Sequence, residues 1–216
     1  MNLPLFNSIA SWLLKKRLHQ IELFLKYPAD VQYELLLKLV DMAANTEVGK
    51  RYHFEDITTY EQFARQVPLS YYEDLAPLIQ RCREGEQQLF WPTPIKWFAK
   101  SSGTTNAKSK FIPVSQEALD DCHYKSSKDL LSLYLNNNEH SKLFTGKSLR
   151  LGGSKELYKE NGSHYGDLSA ILIDNLPKWA EYSSTPSNKV SLMSNWEEKL
   201  KAIIAESTKE NVTSLA

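Results

Sequence analysis

Ten residues near the middle of the chain, Ser101-Ser102-Gly103-Thr104-Thr105-Asn106-Ala107-Lys108-Ser109-Lys110, gather hydroxyls, a glycine and two lysines into one short stretch. Small side chains let the backbone come close to a ligand, and consecutive free N–H groups in such a turn cradle phosphate oxygens. Hydroxyls add short donors, and lysine adds a mobile positive charge suited to phosphate. The chemistry these residue types point to is binding of a nucleoside triphosphate. The stretch is neither a Walker A loop nor a dinucleotide fingerprint, since Gly-x-x-x-x-Gly-Lys-Ser/Thr and Gly-x-Gly-x-x-Gly are both missing. The other reading of the same residues is a polar hairpin connection that binds nothing.

The flanks decide how such a loop is held. Ile95 to Ala99 is apolar and aromatic and reads as a buried strand, and Phe111-Ile112-Pro113-Val114 reads as a second. Pro113 has no N–H to donate, which makes that strand short or places it at a sheet edge. Ahead of the loop the chain reads as mainly helical: an amphipathic helix over 8–26, packed on a domain or, in a second reading of its basic turn, lying on a membrane surface. Pro28 starts a leucine-rich helix over 31–44, closed off by Gly49. Thr59-x-x-Gln62 and Ser70-x-x-Glu73 fit capping boxes and mark helices near 60–66 and 71–84, the latter ending at Gly85. Trp91-Pro92-Thr93-Pro94 ends the helical region.

Behind the loop, 115–137 reads as one long helix with Leu119, Cys122, Leu130, Leu131, Leu133 and Tyr134 on its apolar face. Ser148 to Leu151 reads as a strand running into Gly152-Gly153, a pair that either lets a ligand approach or makes a turn. Residues 166–176 are apolar without a clear period, leaving helix and strand open, and 183–187 reads as a polar loop. Ser194-x-x-Glu197 fits a third capping box, opening a helix with Trp196, Leu200, Ile203 and Ile204 on one face. Val212 to Ala216 begins another apolar segment.

Composition narrows the function classes. The chain has 216 residues, 42% of them hydrophobic, enough to bury a core and to argue against disorder. Lys+Arg and Asp+Glu both number 26, so the formal charge is zero and the basic surplus of a general nucleic-acid binder is missing. Cys82 and Cys122 lack metal-ligand spacing and read as reduced, buried thiols, and the five histidines are scattered, so no metal site is read. No apolar run approaches the ~20 residues of a spanning helix, and the N-terminus lacks the order of a signal peptide. A cytoplasmic protein without a membrane partner is expected.

The stretch Ser101 to Lys110, with Ile112-Pro113 after it, resembles the first ATP-binding motif of the auxin-responsive acyl acid–amido synthetases, the Gretchen Hagen 3 family of adenylate-forming enzymes. That motif reads roughly Ser/Thr-Ser-Gly-Thr-Thr-Gly-x-Pro-Lys. Here one extra residue precedes the final lysine, and Asn106 and Ala107 stand where relatives often carry glycine. Tyr72-Glu73-Asp74-Leu75, Gly85-Glu86, Trp91-Pro92 and Lys96-Trp97 resemble the family's approach to the loop, and Leu151-Gly152-Gly153-Ser154 and Gly166-Asp167-Leu168-Ser169 resemble segments after it.

The resemblance implies an α/β fold: a helical N-terminal region, residues 1–94, leading into an α/β segment, residues 95–216, both belonging to the large N-terminal domain of an adenylate-forming enzyme. It implies ATP and Mg²⁺ as cofactors, and an acyl acid and an amino acid as partners. It assigns the nucleotide to Ser101, Ser102, Gly103, Thr104, Thr105 and Lys110, with Lys108 competing for the role of Lys110, and leaves the catalytic residues unassigned. The family's second motif, a Tyr-x-Ala/Ser-Ser-Glu-Gly type with a metal-binding glutamate, is not in the sequence, nor is its Tyr-Arg-x-Gly-Asp segment. The expectation is therefore the N-terminal part of an ATP-dependent acyl acid–amido synthetase, inactive alone in ATP–pyrophosphate exchange and prone to self-association. The alternative is a non-catalytic binding or interaction module that kept part of this fold.

Overall fold

The computed structural model describes residues 4–101, 109–152, 158–160, 162–176 and 178–215. In these the first elements are helices: α1 Pro4–Lys15, α2 Leu18–Lys26, α3 Pro28–Ala43, α4 Glu47–Arg51, α5 Tyr60–Gln66 and α6 Tyr72–Arg83. Strands β1 Trp97–Lys100 and β2 Phe111–Val114 follow, then α7 Lys125–Asn137 and strands β3 Lys147–Leu149, β4 Tyr158–Glu160 and β5 Ser163–Gly166. The chain ends in α8 Leu168–Asp174, α9 Lys178–Tyr182, β6 Ser184–Thr185, α10 Asn188–Ser191, α11 Trp196–Ser207 and β7 Val212–Leu215. This is a mixed helix-and-strand fold of the α/β kind. It forms two compact units, one of residues 19–119 with 159–164, the other of residues 1–18, 120–158 and 165–216.

In the first of these units Pro28 opens α3 at its first helical position, where its missing N–H has no role. Gly49 does not close that helix. It sits buried inside α4, its N–H donating to the Oγ1 of the N-cap residue Thr46 at 3.0 Å, while Thr46 Oγ1 donates to the Ala43 carbonyl at 2.7 Å. The Thr59–Gln62 capping box on α5 forms as read. The box on α6 lies one residue later than Ser70–Glu73: the Tyr71 N–H donates to the Asp74 carboxylate at 2.7 Å. Gly85, at φ 104°, then ends α6 in the left-handed region. β1 and β2 pair antiparallel, Trp97 opposite Val114 and Lys100 opposite Phe111, in a sheet of order β2-β1-β5-β4. β2, with Pro113, is at the edge, as expected for a strand lacking a donor. β5 is tied to β1's approach by the His164 N–H donating to the Lys96 carbonyl at 2.8 Å, with the His164 and Trp97 rings 4.5 Å apart.

In the other unit, the helix expected over 8–26 is interrupted, since α1 stops at Lys15 and Arg17 donates through Nε (2.8 Å) and Nη2 (3.1 Å) to the Asp129 carboxylate. A π-helical segment, Ala118–Tyr124, precedes α7. Its wider turn shifts the helical face, so that Ser132 and Leu135 are buried while Cys122 and Leu130 are exposed. The thiols are thus one buried and one exposed. Ser132 Oγ lies 2.8 Å from the Leu14 carbonyl, joining α7 to α1. A parallel sheet of order β6-β3-β7 completes this unit. β6 occupies what reads as a polar loop, since the buried Ser184 and Thr185 hydroxyls find the Ala180 and Glu181 carbonyls and Ser207 Oγ. Residues 168–174 resolve to helix. α11 is capped by Asn195, not Ser194, its side chain accepting from the N–H groups of Glu197 and Glu198.

Candidate phosphate-binding hairpin

The stretch that could carry chemistry is the connection of a β-hairpin. Phe98 and Ala99 of β1 are buried, which anchors one stem, and the register with β2 fixes the other. The Ser101 N–H donates to the Lys110 carbonyl at 2.9 Å, and the Lys110 N–H donates to Ser101 Oγ at 3.4 Å. Two of the sequence-predicted residues, Ser101 and Lys110, therefore face each other across the mouth of the loop. Ser102, Gly103, Thr104, Thr105 and Lys108 lie outside the described residues.

The first turn of α6 supports the returning stem. Tyr72 Oη accepts the Phe111 N–H at 3.0 Å, and the Lys110 Nζ sits 4.8 Å from the centroid of the Tyr72 ring and 3.1 Å from Glu73 Oε1. A hydrogen bond from its own backbone N–H first, and Lys110 second, hold the Glu73 carboxyl below the usual carboxylate range. From the far end of α6, the Arg83 guanidinium stacks 4.1 Å over the Phe111 ring. On the other flank the Glu117 carboxylate accepts from Trp91 Nε1 and Thr93 Oγ1, both at 2.9 Å, tying the approach segment to the chain just after β2.

Glu73 and Tyr72 are the site residues that sequence reasoning did not assign. They stand in a segment that resembles the family's approach to the loop, but a carboxylate 37 positions from its lysine leaves no periodic trace. Only the packing of α6 against the hairpin brings the two together. Among the described residues, the mouth of the loop offers the Ser101 hydroxyl on one side and the Lys110 ammonium on the other.

A helical lead-in feeds a Ser/Thr-rich hairpin at the edge of the sheet. The fold agrees with the solved structure of GH3.15 acyl acid amido synthetase, with a TM-score of 0.69 over 86% of this chain and 32% of that one, at 22% identity. The chain belongs to the GH3 family: the model of the GH3 family N-terminal domain matches residues 17–216.

Among its relatives, indole-3-acetic acid-amido synthetase GH3.2 of Arabidopsis thaliana is 35% identical over 106 residues, covering 49% of this chain and 19% of that protein. Jasmonoyl–L-amino acid synthetase GH3.5 of Oryza sativa subsp. japonica is 28% identical over 152 residues, 68% of this chain and 25% of that one. The chain thus spans about a fifth to a quarter of the length of these curated relatives. A further structure, AtGH3.15 acyl acid amido synthetase in complex with 2,4-DB, is 27% identical with a TM-score of 0.57 over 67% of this chain and 25% of that one.

Proposed function

We propose that this chain supplies the nucleotide-phosphate hairpin of an ATP-dependent acyl acid–amido synthetase. The observation that carries the reading is the closed mouth of the loop, Ser101 against Lys110, on a hairpin of a chain that belongs to the GH3 family. In the reaction, a carboxylate oxygen of the acyl acid attacks the α-phosphorus of ATP and the bond to the β-phosphate breaks, releasing pyrophosphate. The amine of an amino acid then attacks the acyl carbon, the bond to AMP breaks, and a proton leaves the nitrogen. Ser101, Ser102, Gly103, Thr104 and Thr105 offer N–H and hydroxyl donors to the β- and γ-phosphates, and Lys110 supplies the main charge. Such a step is driven by placement and by stabilising charge on the phosphates. Mg²⁺ would accompany the nucleotide and neutralise its charge. The carboxylate that the structure brings to the hairpin, Glu73, is engaged by Lys110.

The substrates are a carboxylic acid and an amino acid, in keeping with the names of the relatives. Two free cysteines and no described helix long and apolar enough to cross a membrane fit a cytoplasmic site of action.

Calorimetric titration with MgATP tests the hairpin. A charge-assisted contact to phosphate is worth about 1.5–3 kcal/mol, so Lys110→Ala should weaken binding about ten- to hundredfold. Lys108→Ala should do much less, and Thr104→Val should give a smaller but measurable loss. If all three leave affinity unchanged while melting shifts slightly, the hairpin is a polar connection only. A damaging Lys108→Ala beside a silent Lys110→Ala moves the role to Lys108.

A further inference from the structure

We propose that Glu73 is the resting counter-ion of the hairpin lysine, a positioning residue that sets anion affinity through Lys110 and that an arriving phosphate must displace. The inference rests on the reading of the hairpin as a phosphate site. The ammonium of Lys110 lies 3.1 Å from Glu73 Oε1 and 4.8 Å from the Tyr72 ring centroid, so carboxylate and aromatic face hold it together. Both come from the first turn of one helix, while Tyr72 Oη also takes the N–H of the next residue, Phe111. The lysine is therefore aimed by α6, not by the hairpin that carries it.

The pair is built to be exchanged. The side chains are 40% and 70% exposed, and an ion pair in such contact with water is weak. Phosphate oxygens offer the ammonium more charge and shorter contacts than a single screened carboxylate. A carboxylate at this place acts twice against an anion, by occupying the ammonium and by repelling the incoming charge. It also keeps Lys110 docked at the root of the loop in the absence of ligand. Glu73 thus trades affinity for a defined resting state, and neutralising it should tighten anion binding.

The test uses the full chain and inorganic tripolyphosphate with Mg²⁺, followed by calorimetry, with thermal melts recorded beside it. Glu73→Gln should tighten binding about three- to tenfold without lowering the melting temperature. Lys110→Met should weaken binding and abolish the gain, so that the double variant matches Lys110→Met alone. A Glu73→Gln protein with unchanged or weaker affinity, while Lys110→Met still loses it, overturns the counter-ion role and leaves the hairpin reading standing. A gain that persists in the Lys110→Met background overturns it as well, because Glu73 then acts through another group. A silent Lys110→Met overturns the counter-ion role, and no binding by any variant through the millimolar range sinks the hairpin reading with it.

Discussion

The ammonium of Lys199 lies 2.6 Å from the carbonyl oxygen of Gly152, in a setting where the lysine is only 2% exposed. A lysine in mid-helix is normally solvated, and burial lowers the proton affinity of this one. Lys199→Ala leaves a void and strips the carbonyl of its donor, for an expected loss of about 2–4 kcal/mol in denaturant unfolding. Lys199→Met fills the space without the charge and should lose less.

The same lysine carries a pH signature. Its folded-state pKa is depressed below the unfolded value, so between the two the unfolded chain binds the extra proton and stability rises with pH. The stability of the wild-type protein relative to Lys199→Met should therefore be flat around neutrality and climb as pH approaches the ordinary lysine value of about 10.4. Paired denaturant titrations along the alkaline range measure this, and a difference that falls with pH would contradict the burial.

Two glycines should respond differently to alanine. An added Cβ at Gly49 would sit 2.1 Å from the Ala43 carbonyl oxygen and 2.7 Å from that of Ala44, backbone atoms that cannot yield without moving the α3–α4 junction. At Gly152 the nearest atom is the flexible tip of Ile173 at 2.7 Å, followed by the Ser191 carbonyl oxygen at 3.0 Å. Gly49→Ala should lose about 3 kcal/mol or more, and Gly152→Ala about 1–3 kcal/mol. Ile173→Val should recover part of the second loss and none of the first. Melting temperatures of the four variants decide it.

Acid should weaken the approach to the hairpin. Burial alone would raise the Glu117 carboxyl, but hydrogen bonds from its own N–H, Thr93, Trp91 and Ser115 outweigh it and hold it below the usual range. Its stabilising contribution is then fully present above the unfolded carboxylate value of about 4.3 and is lost as pH falls through the lower folded value. Glu117→Gln should be about 1 kcal/mol less stable at neutral pH, with the gap closing as pH falls below the unfolded carboxylate value.

One apolar row is left facing solvent. Trp196, Leu200 and Ile204 follow one another at helical spacing on α11 and are 61%, 43% and 54% exposed. Such a row drives association. Sedimentation velocity should show the chain self-associating with rising concentration, and Leu200→Lys with Ile204→Lys should suppress it without unfolding the helix.

The hairpin was legible because its signals are local. Aromatic residues before the loop and a proline after it define two strands and an edge, and the register follows from their closure. Thr59 and Gln62 are equally local, and their box forms as read. Where a competing polar residue stands next door, the boundary moves by one: Asp74 takes the role read for Glu73, and Asn195 the one read for Ser194. The face of α11 shows the limit of periodicity. Hydrophobicity selects Trp196, Leu200, Ile203 and Ile204, yet of these the fold buries Ile203 alone, together with Lys199 and Ser207. The Gly152 carbonyl that receives Lys199 stands 47 positions earlier, and the Thr185 hydroxyl of β6 meets Ser207 Oγ from 22 positions later. Contacts of that range cannot be seen from a window of sequence.

The interleaving of the two compact units has a consequence for how the chain is made. The unit of residues 19–119 needs only the short return of 159–164 to be complete, so a nascent chain can settle most of it before the other unit has emerged. The other unit opens with α1 and closes with β7, whose Val212–Leu215 pairs with β3. Its first eighteen residues must wait for partners from 120 onward, and its sheet for β7. Folding on the ribosome should therefore be staggered, with the apolar side of α1 held in reserve until α7 arrives.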